Sequence, residues 1–296
     1  MKTKLMLLMA MLTLGLSAVV AAAQNGLLLR YKYTPGAVDS YVLKGTLAGA
    51  MSAPGQDGQM PLNGTVDGSY TIKTTSVSDQ GVAAQQTTLG RMEVAMDLMG
   101  MPTTMVMENG QATVTVNGQP MELPKDMPGM SAFGAPIKTK VDTRGRVLDV
   151  DLSALGDLGS GFDPSMIQEI NILFPDGAVS PGQTWSNVTK LPLKIKGQSL
   201  ELRISYAYTF AGVEQYQGKD VARINFKGDG GLASQPGGAF DRIKQAFSGY
   251  ELFDYNAGRA VYDKVKLEQT MSGPSAPGKP QMTGNMTADF EITVGK

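Results

Sequence analysis

The feature that most constrains this chain is a strict alternation of apolar and polar residues. Between residues 200 and 210 the even positions are apolar or aromatic and the odd positions are polar or small. Because a period of two puts neighbouring side chains on opposite faces of a β-strand, we predict a long strand here with one dry face. The same alternation predicts further strands at residues 66–72, 222–226, 261–267 and 285–294.

Turn signals separate these runs. Asn109-Gly110 and Asn117-Gly118 each lie between apolar or β-branched residues. Asn-Gly supplies the two positive-φ positions of a type I′ turn, so two successive tight hairpins are predicted. Residues 142–145 and 255–258 predict two slightly longer hairpin loops.

Two segments show helical spacing. An Asp-Pro pair typical of a helix start predicts a helix over residues 163–174. A second helix over residues 239–247 is predicted because Phe240, Ile243 and Phe247 fall on one helical face. Each helix is too short to be stable alone in water, so each is expected to pack on the sheet.

These elements predict a mainly β fold. We expect a strongly curved antiparallel sheet, or two half-barrel repeats, with the two short helices on its concave apolar face. The expected division is a signal peptide (1–23), a first β half (24–160), a linker with one short helix (161–180) and a second β half with the other (181–296).

The first residues carry the pattern of a cleavable export signal. Lys2 and Lys4 precede an uncharged apolar run over residues 5–20, and three alanines follow at 21–23. That run is shorter than the roughly 20 residues that a spanning helix needs. No Cys follows it, so a lipid anchor is excluded. We expect a periplasmic or extracellular protein without an integral membrane span after cleavage.

Composition excludes several functions. The chain has no Cys and no His, which removes Cys nucleophiles, Ser-His-Asp triads, His or Cys zinc sites and covalent haem attachment. No Ser-x-x-Lys, Gly-x-Ser-x-Gly or phosphate-loop motif is present. We therefore predict no catalytic residue, no metal site and no cofactor. The 26 basic and 27 acidic residues form no basic cluster, so nucleic acid is not an expected partner.

A carboxylate-based hydrolase stays open at this point, because catalytic carboxyl pairs converge in space rather than in sequence. Asp149, Asp151, Glu201 and Glu291 are the acidic residues considered, and exposure to solvent explains them more simply.

Methionine is the compositional anomaly. Nine of the 19 methionines lie between Met92 and Met130. Three interpretations remain open: packing in the core, an adaptable apolar binding surface, or a Cu(I) site built from thioethers. The candidate ligand-binding methionines are Met92, Met96, Met99, Met101, Met105 and Met107.

Trp185 is a further candidate ligand-binding residue, since a Trp on an exported protein can stack on a sugar or a lipid. Burial as a packing anchor is the simpler explanation.

Three short motifs carry a family resemblance. They are the opening Leu-Leu-Arg-Tyr-Lys-Tyr-Thr-Pro-Gly at 28–36, Phe-Pro at 174–175, and Val-Ser-Pro-Gly-Gln-Thr-Trp at 179–185. With the Met- and Pro-rich loop, they resemble an uncharacterised family of exported bacterial proteins. The resemblance implies bacterial export and a two-part β architecture, and it brings no activity or catalytic residues.

The first functional hypothesis follows from the dry strand faces. Two short helices cover little of such a sheet, so a groove is expected that binds a lipid or another apolar molecule. The alternative is a structural or protein-interaction module of the bacterial envelope. An internal cavity above about 300 Å³ would favour ligand binding.

Overall fold

The computed structural model describes residues 26–52, 59–98, 100–109, 111–121, 135–151, 171–195, 198–232, 242–273 and 283–295. These contain fourteen strands: β1 Val38–Ser52, β2 Met60–Val77, β3 Ala83–Leu98, β4 Met101–Glu108, β5 Gln111–Val116, β6 Gln119–Met121, β7 Ile137–Val141, β8 Val147–Asp151, β9 Thr184–Ile195, β10 Gln198–Tyr216, β11 Lys219–Leu232, β12 Arg242–Asp254, β13 Arg259–Ser272 and β14 Thr283–Val294. The predicted signal peptide lies outside the described residues.

All fourteen strands belong to one antiparallel sheet. Its order is β6-β5-β4-β3-β2-β1-β14-β13-β12-β11-β10-β9, and β7 and β8 branch from β3. Strand β1 lies at the centre of the sheet, and β2 to β6 follow one another outward to one edge. Strand β9 forms the other edge, and β10 to β14 follow one another back to the centre, where β14 pairs with β1. In the described part of the chain β6 and β9 do not pair with each other, so the sheet is open. The prediction of a mainly β, antiparallel sheet is confirmed.

The alternation predicts the buried face correctly. In β10, Ile204, Tyr208 and Phe210 are buried while Arg203 and Ala207 are exposed. The second Asn-Gly turn also agrees with the prediction, whereas Gly110 of the first lies outside the described residues. Asn117 and Gly118 have φ angles of 52° and 74° between β5 and β6, as a type I′ turn requires.

The helix predicted over residues 239–247 is wrong. Residues 242–247 belong to β12, where Ile243 pairs with Met271 and Phe247 with Leu267. Residues four apart share a face of a helix, but they also share a face of a strand because four is a multiple of two. The spacing of Ile243 and Phe247 therefore could not separate the two structures.

The helix predicted over residues 163–174 lies mostly outside the described residues. Its described end, residues 171–174, is not helical. Ile172 and Phe174 are buried there, and the Phe174 backbone N–H donates to Arg144 O at 2.9 Å. This segment uses its backbone groups to bind a hairpin loop, and they do not form helical hydrogen bonds.

Two irregular segments, residues 27–37 and 171–183, cover one end of the sheet in place of the expected helices. The first exchanges backbone hydrogen bonds with Val179, Thr143, Gly258 and Thr74. Gly258 has a φ of 69°, and a Cβ there would collide with Lys32, so this crossing requires glycine. We call this covered end the closed end.

The hydrophobic core lies at the closed end. It joins the two covering segments to β10, β11 and β12 through ten buried residues: Leu29, Tyr31, Ile172, Phe174, Val179, Tyr208, Phe210, Ala222, Ile224 and Phe253. Phe174 and Phe253 meet edge to face at 4.8 Å between ring centroids, a favoured aromatic geometry. The core therefore covers one end of the sheet's apolar face and does not include the side chains along the rest of that face.

Candidate ligand-binding site

The strand register aligns apolar residues in rows that cross the sheet. Residues directly opposite one another in antiparallel strands share a face. One row contains a residue from each of twelve strands: Trp185, Tyr208, Phe226, Gly249, Val265, Phe290, Gly45, Val66, Val94, Met105, Val114 and Met121. Every member is apolar, aromatic or glycine. We call it the central row and the face that carries it the apolar face.

Two glycines keep the central row close-packed. A Cβ at Gly45 would collide with the Phe290 ring, and a Cβ at Gly249 would lie 2.8 Å from Phe226 Cζ. Each aromatic ring therefore lies flat over the backbone of the neighbouring strand. At about 4.8 Å between neighbouring strands, the row measures on the order of 50 Å from edge to edge.

The row on the open side of the central row is apolar from β10 to β3 and has polar residues towards both edges of the sheet, at Asn187, Thr103 and Gln119. It includes Tyr206, Phe247, Leu267, Leu47 and Met96. Most large side chains of these rows are half-buried, whereas those of the core are buried. Outside the closed end, the described residues supply no segment that covers the apolar face.

The structure brings five of the six candidate methionines together. Met92 and Met96 on β3 and Met101, Met105 and Met107 on β4 all lie on the apolar face, with Met92 directly opposite Met107. Met99 lies outside the described residues. Met101 is 42% exposed, so packing in a closed core does not describe it. The copper alternative stays a prediction.

Trp185 lies on the same face but at the opposite edge of the sheet. Its ring stacks on Tyr208 at 5.6 Å between centroids, and its Nε1–H donates to Leu173 O at 2.9 Å. These contacts attach the covering segment to β9 and β10. Trp185 therefore has the geometry of a packing anchor, and it is not adjacent to the methionines.

Sequence reasoning missed a pair of acidic residues on the apolar face. Glu251 on β12 lies directly opposite Asp263 on β13, in the row on the closed side of the central row. Glu251 is 6% exposed and Asp263 is half-buried. The sequence did contain a signal for Asp263, because this charged residue stands at an apolar position of the 261–267 alternation. It contained none for Glu251, because the helix wrongly predicted over residues 239–247 replaced the start of the strand that carries it.

Burial controls the protonation of this pair. Loss of solvent raises the pKa of Asp263 from 3.8 to about 7 and holds the pKa of Glu251 well above its ordinary value. The hydrogen bond between the two carboxyl groups raises the pKa of Glu251 and lowers that of Asp263. The raised pKa values favour a pair that keeps at least one proton near neutral pH.

The acidic residues considered from the sequence are unlike this pair. Asp149 pairs with Lys140 at 3.0 Å and Glu291 with Lys264 at 3.3 Å, and both carboxylates are at least half exposed. Asp151 pairs with Lys138 at 3.6 Å. The Glu201 side chain lies outside the described part.

A cavity of about 1220 Å³ opens away from the closed end. This volume is well above the threshold of about 300 Å³ for a small-molecule site. Its lining includes Arg203, Asp229, Lys244 and Glu268, which lie on the face opposite the apolar face. The lining also includes Met286, which lies on the apolar face, so the cavity combines charged groups with apolar surface and is not the purely apolar interior that the sequence led us to expect.

The comparisons with known proteins identify no family. No protein-family model matches the sequence, and no curated protein matches it.

Similar solved structures share little sequence with the chain. A lipovitellin structure concerned with lipid-protein interactions is 9% identical over 90% of this chain and 26% of its own, with a TM-score of 0.46. The chain spans about a quarter of that length. The hypothetical lipoprotein YmcC from Escherichia coli is 10% identical over 82% of this chain and 85% of its own, with a TM-score of 0.20. Pseudomonas aeruginosa OccK5 is 7% identical over 88% and 98%, with a TM-score of 0.22. At these TM-scores the similarity assigns no function.

Two further properties concern the described residues alone. They contain no helix long and apolar enough to cross a membrane. They also contain no group of three or more acidic side chains arranged to hold a metal ion.

Proposed function

We propose that this chain binds a long apolar ligand on its apolar face. The observation that carries the proposal is the central row, which crosses twelve strands without a charged residue and has mostly half-buried side chains beyond the closed end, where Val66 and Val114 are buried. Extended apolar surface of this kind marks binding sites, because soluble proteins rarely leave it in contact with water. The methionines suit such a site, since their unbranched thioether chains adapt to irregular ligands.

The size of the ligand follows from the energetics. Burial of one CH₂ group contributes about 0.8 kcal/mol. Association costs roughly 4–15 kcal/mol in translational and rotational freedom. A chain of about 12 carbons or more is then needed for useful affinity, so the proposed ligand is a lipid or another long-chain molecule. With the export signal expected at residues 1–23, the proposed place of binding is the bacterial envelope.

The carboxyl pair does not favour a hydrolase. Glycosidases keep their two carboxyl groups about 5–9.5 Å apart so that substrate or water fits between them. Glu251 and Asp263 are hydrogen-bonded to each other, which leaves no such gap.

A matched pair of variants tests the proposal. Met105 lies in the central row, whereas its neighbour Val106 faces the other way, opposite Glu93. Titration of the apolar dye Nile red should show binding to the full chain. Met105→Lys places a charge under the ligand and should weaken dye affinity by about tenfold or more. Val106→Lys adds the same charge to the other face and should leave the affinity unchanged.

Circular dichroism would verify that both variants keep the β fold. Equal losses in the two variants, or no dye binding by the unmodified chain, would contradict the proposal.

A further inference from the structure

The Glu251–Asp263 pair lies where the covered and uncovered parts of the apolar face meet. Its row continues through Ile292 and Leu43 to Met92 and Met107 on the far strands. Tyr31, from the covering segment, is close enough for the charges of both carboxyl groups to raise its pKa. The pair therefore lies beside the closed end, at the inner limit of the half-exposed rows.

The polar groups of this pair are incompletely satisfied. Glu251 is 6% exposed, and its Oε1 atom has no hydrogen-bond partner. Buried polar atoms almost always have a partner, and an exception requires an explanation such as a ligand. Asp263 is only half-buried, so a ligand on the apolar face can reach the pair through it.

Three tyrosines, Tyr31, Tyr41 and Tyr70, lie close enough to the pair for the charge of Asp263 to raise their pKa values. The rings of Tyr41 and Tyr70 stack at 4.9 Å between centroids. Burial is the largest cause of the raised pKa of both tyrosines, and the charge of Asp263 raises the pKa of each further. Aromatic faces attract cations, and most strongly where water is excluded. The nearby guanidinium of Arg259 is already paired with Asp39, so it does not neutralise the carboxyl pair.

We propose that Glu251 and Asp263 form the headgroup site for the ammonium group of a long-chain primary amine, whose alkyl chain lies along the apolar face. A primary ammonium offers three N–H donors, one of which can pair with Glu251 Oε1, and its charge complements Asp263. A metal ion is a poorer occupant, because two carboxyl groups are fewer ligands than such ions require. This proposal rests on the proposed function of the apolar face.

The test compares headgroups on one chain length. Dodecylammonium, dodecanol and dodecanoate, each below its aggregation concentration, are titrated against Nile red bound to the full chain at pH 7. The ammonium compound should displace the dye at a concentration about tenfold lower than dodecanol, because a charge-assisted hydrogen bond is added to the same chain burial. Dodecanoate should bind most weakly, since its carboxylate meets Asp263.

Variants locate the preference. Glu251→Gln with Asp263→Asn should remove the advantage of the ammonium compound over dodecanol. Asp149→Asn, which changes an exposed ion-paired carboxylate, should leave the preference intact.

The outcomes separate the two proposals. Equal displacement by all three compounds, or the strongest displacement by dodecanoate, would overturn the headgroup site and leave apolar binding standing. If the unmodified chain binds neither dye nor any alkyl compound, the proposed function itself fails. Since the comparison of headgroups uses the unmodified chain, a variant that does not fold leaves the test intact.

Discussion

Glu251 and Asp263 place two carboxyl groups in a row of the apolar face whose neighbouring positions are apolar. Their neighbours in the row are Ile224 on one side and Ile292 on the other. The carboxyl groups therefore lie among apolar side chains, and desolvation is the largest cause of their raised pKa values. A raised carboxyl pKa means that the folded protein binds protons which the unfolded chain has already released.

Asp263→Asn tests this consequence for stability. The folded-state pKa of Asp263 is about 7, above its ordinary 3.8. Its contribution to stability is complete below about pH 4 and is lost as the pH rises through 7, by at most about 1.4 kcal/mol per pH unit for one proton. Glu251 contributes with the same sign. Chemical denaturation at several pH values should show the free energy of unfolding falling from pH 4 to pH 8, and Asp263→Asn should reduce the slope.

Asp149→Asn is the control, because that carboxylate is exposed and should leave the slope unchanged. A pH profile that does not differ between the unmodified chain and Asp263→Asn would show that the pair is not buried in solution.

At the scale of single elements, the edge strands are the least protected part of the fold. In the described residues β9 pairs only with β10 over its 12 residues, so its outer edge has no neighbouring strand and can pair with another chain. Edge strands of natural sheets are protected by Pro and Lys. The β9 sequence carries Lys190, Pro192 and Lys194, and Pro192 has no N–H to offer a second strand.

Pro192→Val should therefore promote self-association. Valine restores an N–H on the outer edge and raises β-propensity. Light scattering coupled to size-exclusion chromatography should show a larger dimer or oligomer fraction than in the unmodified chain at equal concentration. Pro181→Val, in the loop before β9, gives the same replacement outside the strand and should leave the fraction unchanged. Equal behaviour of both variants would argue against an open edge at β9.

At the scale of the whole molecule, the sheet depends on the pairing of its first and last strands. β1 and β14 align over twelve residue pairs, from Tyr41↔Val294 to Ser52↔Thr283. This ladder joins the run of strands that begins at β1 to the run that ends at β14. Contacts between residues so far apart in sequence are costly in chain entropy and slow to form.

A disulfide across this ladder should be strongly stabilising. Val42 and Thr293 are direct partners on the face opposite the apolar face, and the chain has no Cys of its own. Antiparallel partners are about 4.5–5.5 Å apart between Cα atoms, within the range that a disulfide spans. Val42→Cys with Thr293→Cys closes a loop of some 250 residues and should raise the free energy of unfolding by up to about 5 kcal/mol.

Thr46→Cys with Thr293→Cys is the mismatched control, because residue 46 pairs with Asp289 four positions away. Mass spectrometry under oxidising conditions should detect the bond in the first variant only. Failure of the matched pair to form it would contradict the pairing of β1 with β14.

The sequence by itself determined the fold class and the faces of several strands. Alternation is a local property, so it identified the dry face of β10, and the Asn-Gly turn signal identified the hairpin at Asn117. It failed where one spacing fits two structures, as with Ile243 and Phe247. It also gave no basis for seeing that irregular segments cover the closed end, because those segments bond to distant parts of the chain.

Only the tertiary structure decided which residues meet. Trp185 and Met105 are members of one row because nine separate strand pairings are in register between β9 and β4. Asp263 could be recognised as a charge at an apolar position, but its partner Glu251 depended on β12 being a strand. The hydrophobic pattern and the turn geometry set the register within a hairpin, but β1 and β14 pair without a connecting turn, so local sequence does not identify them as partners.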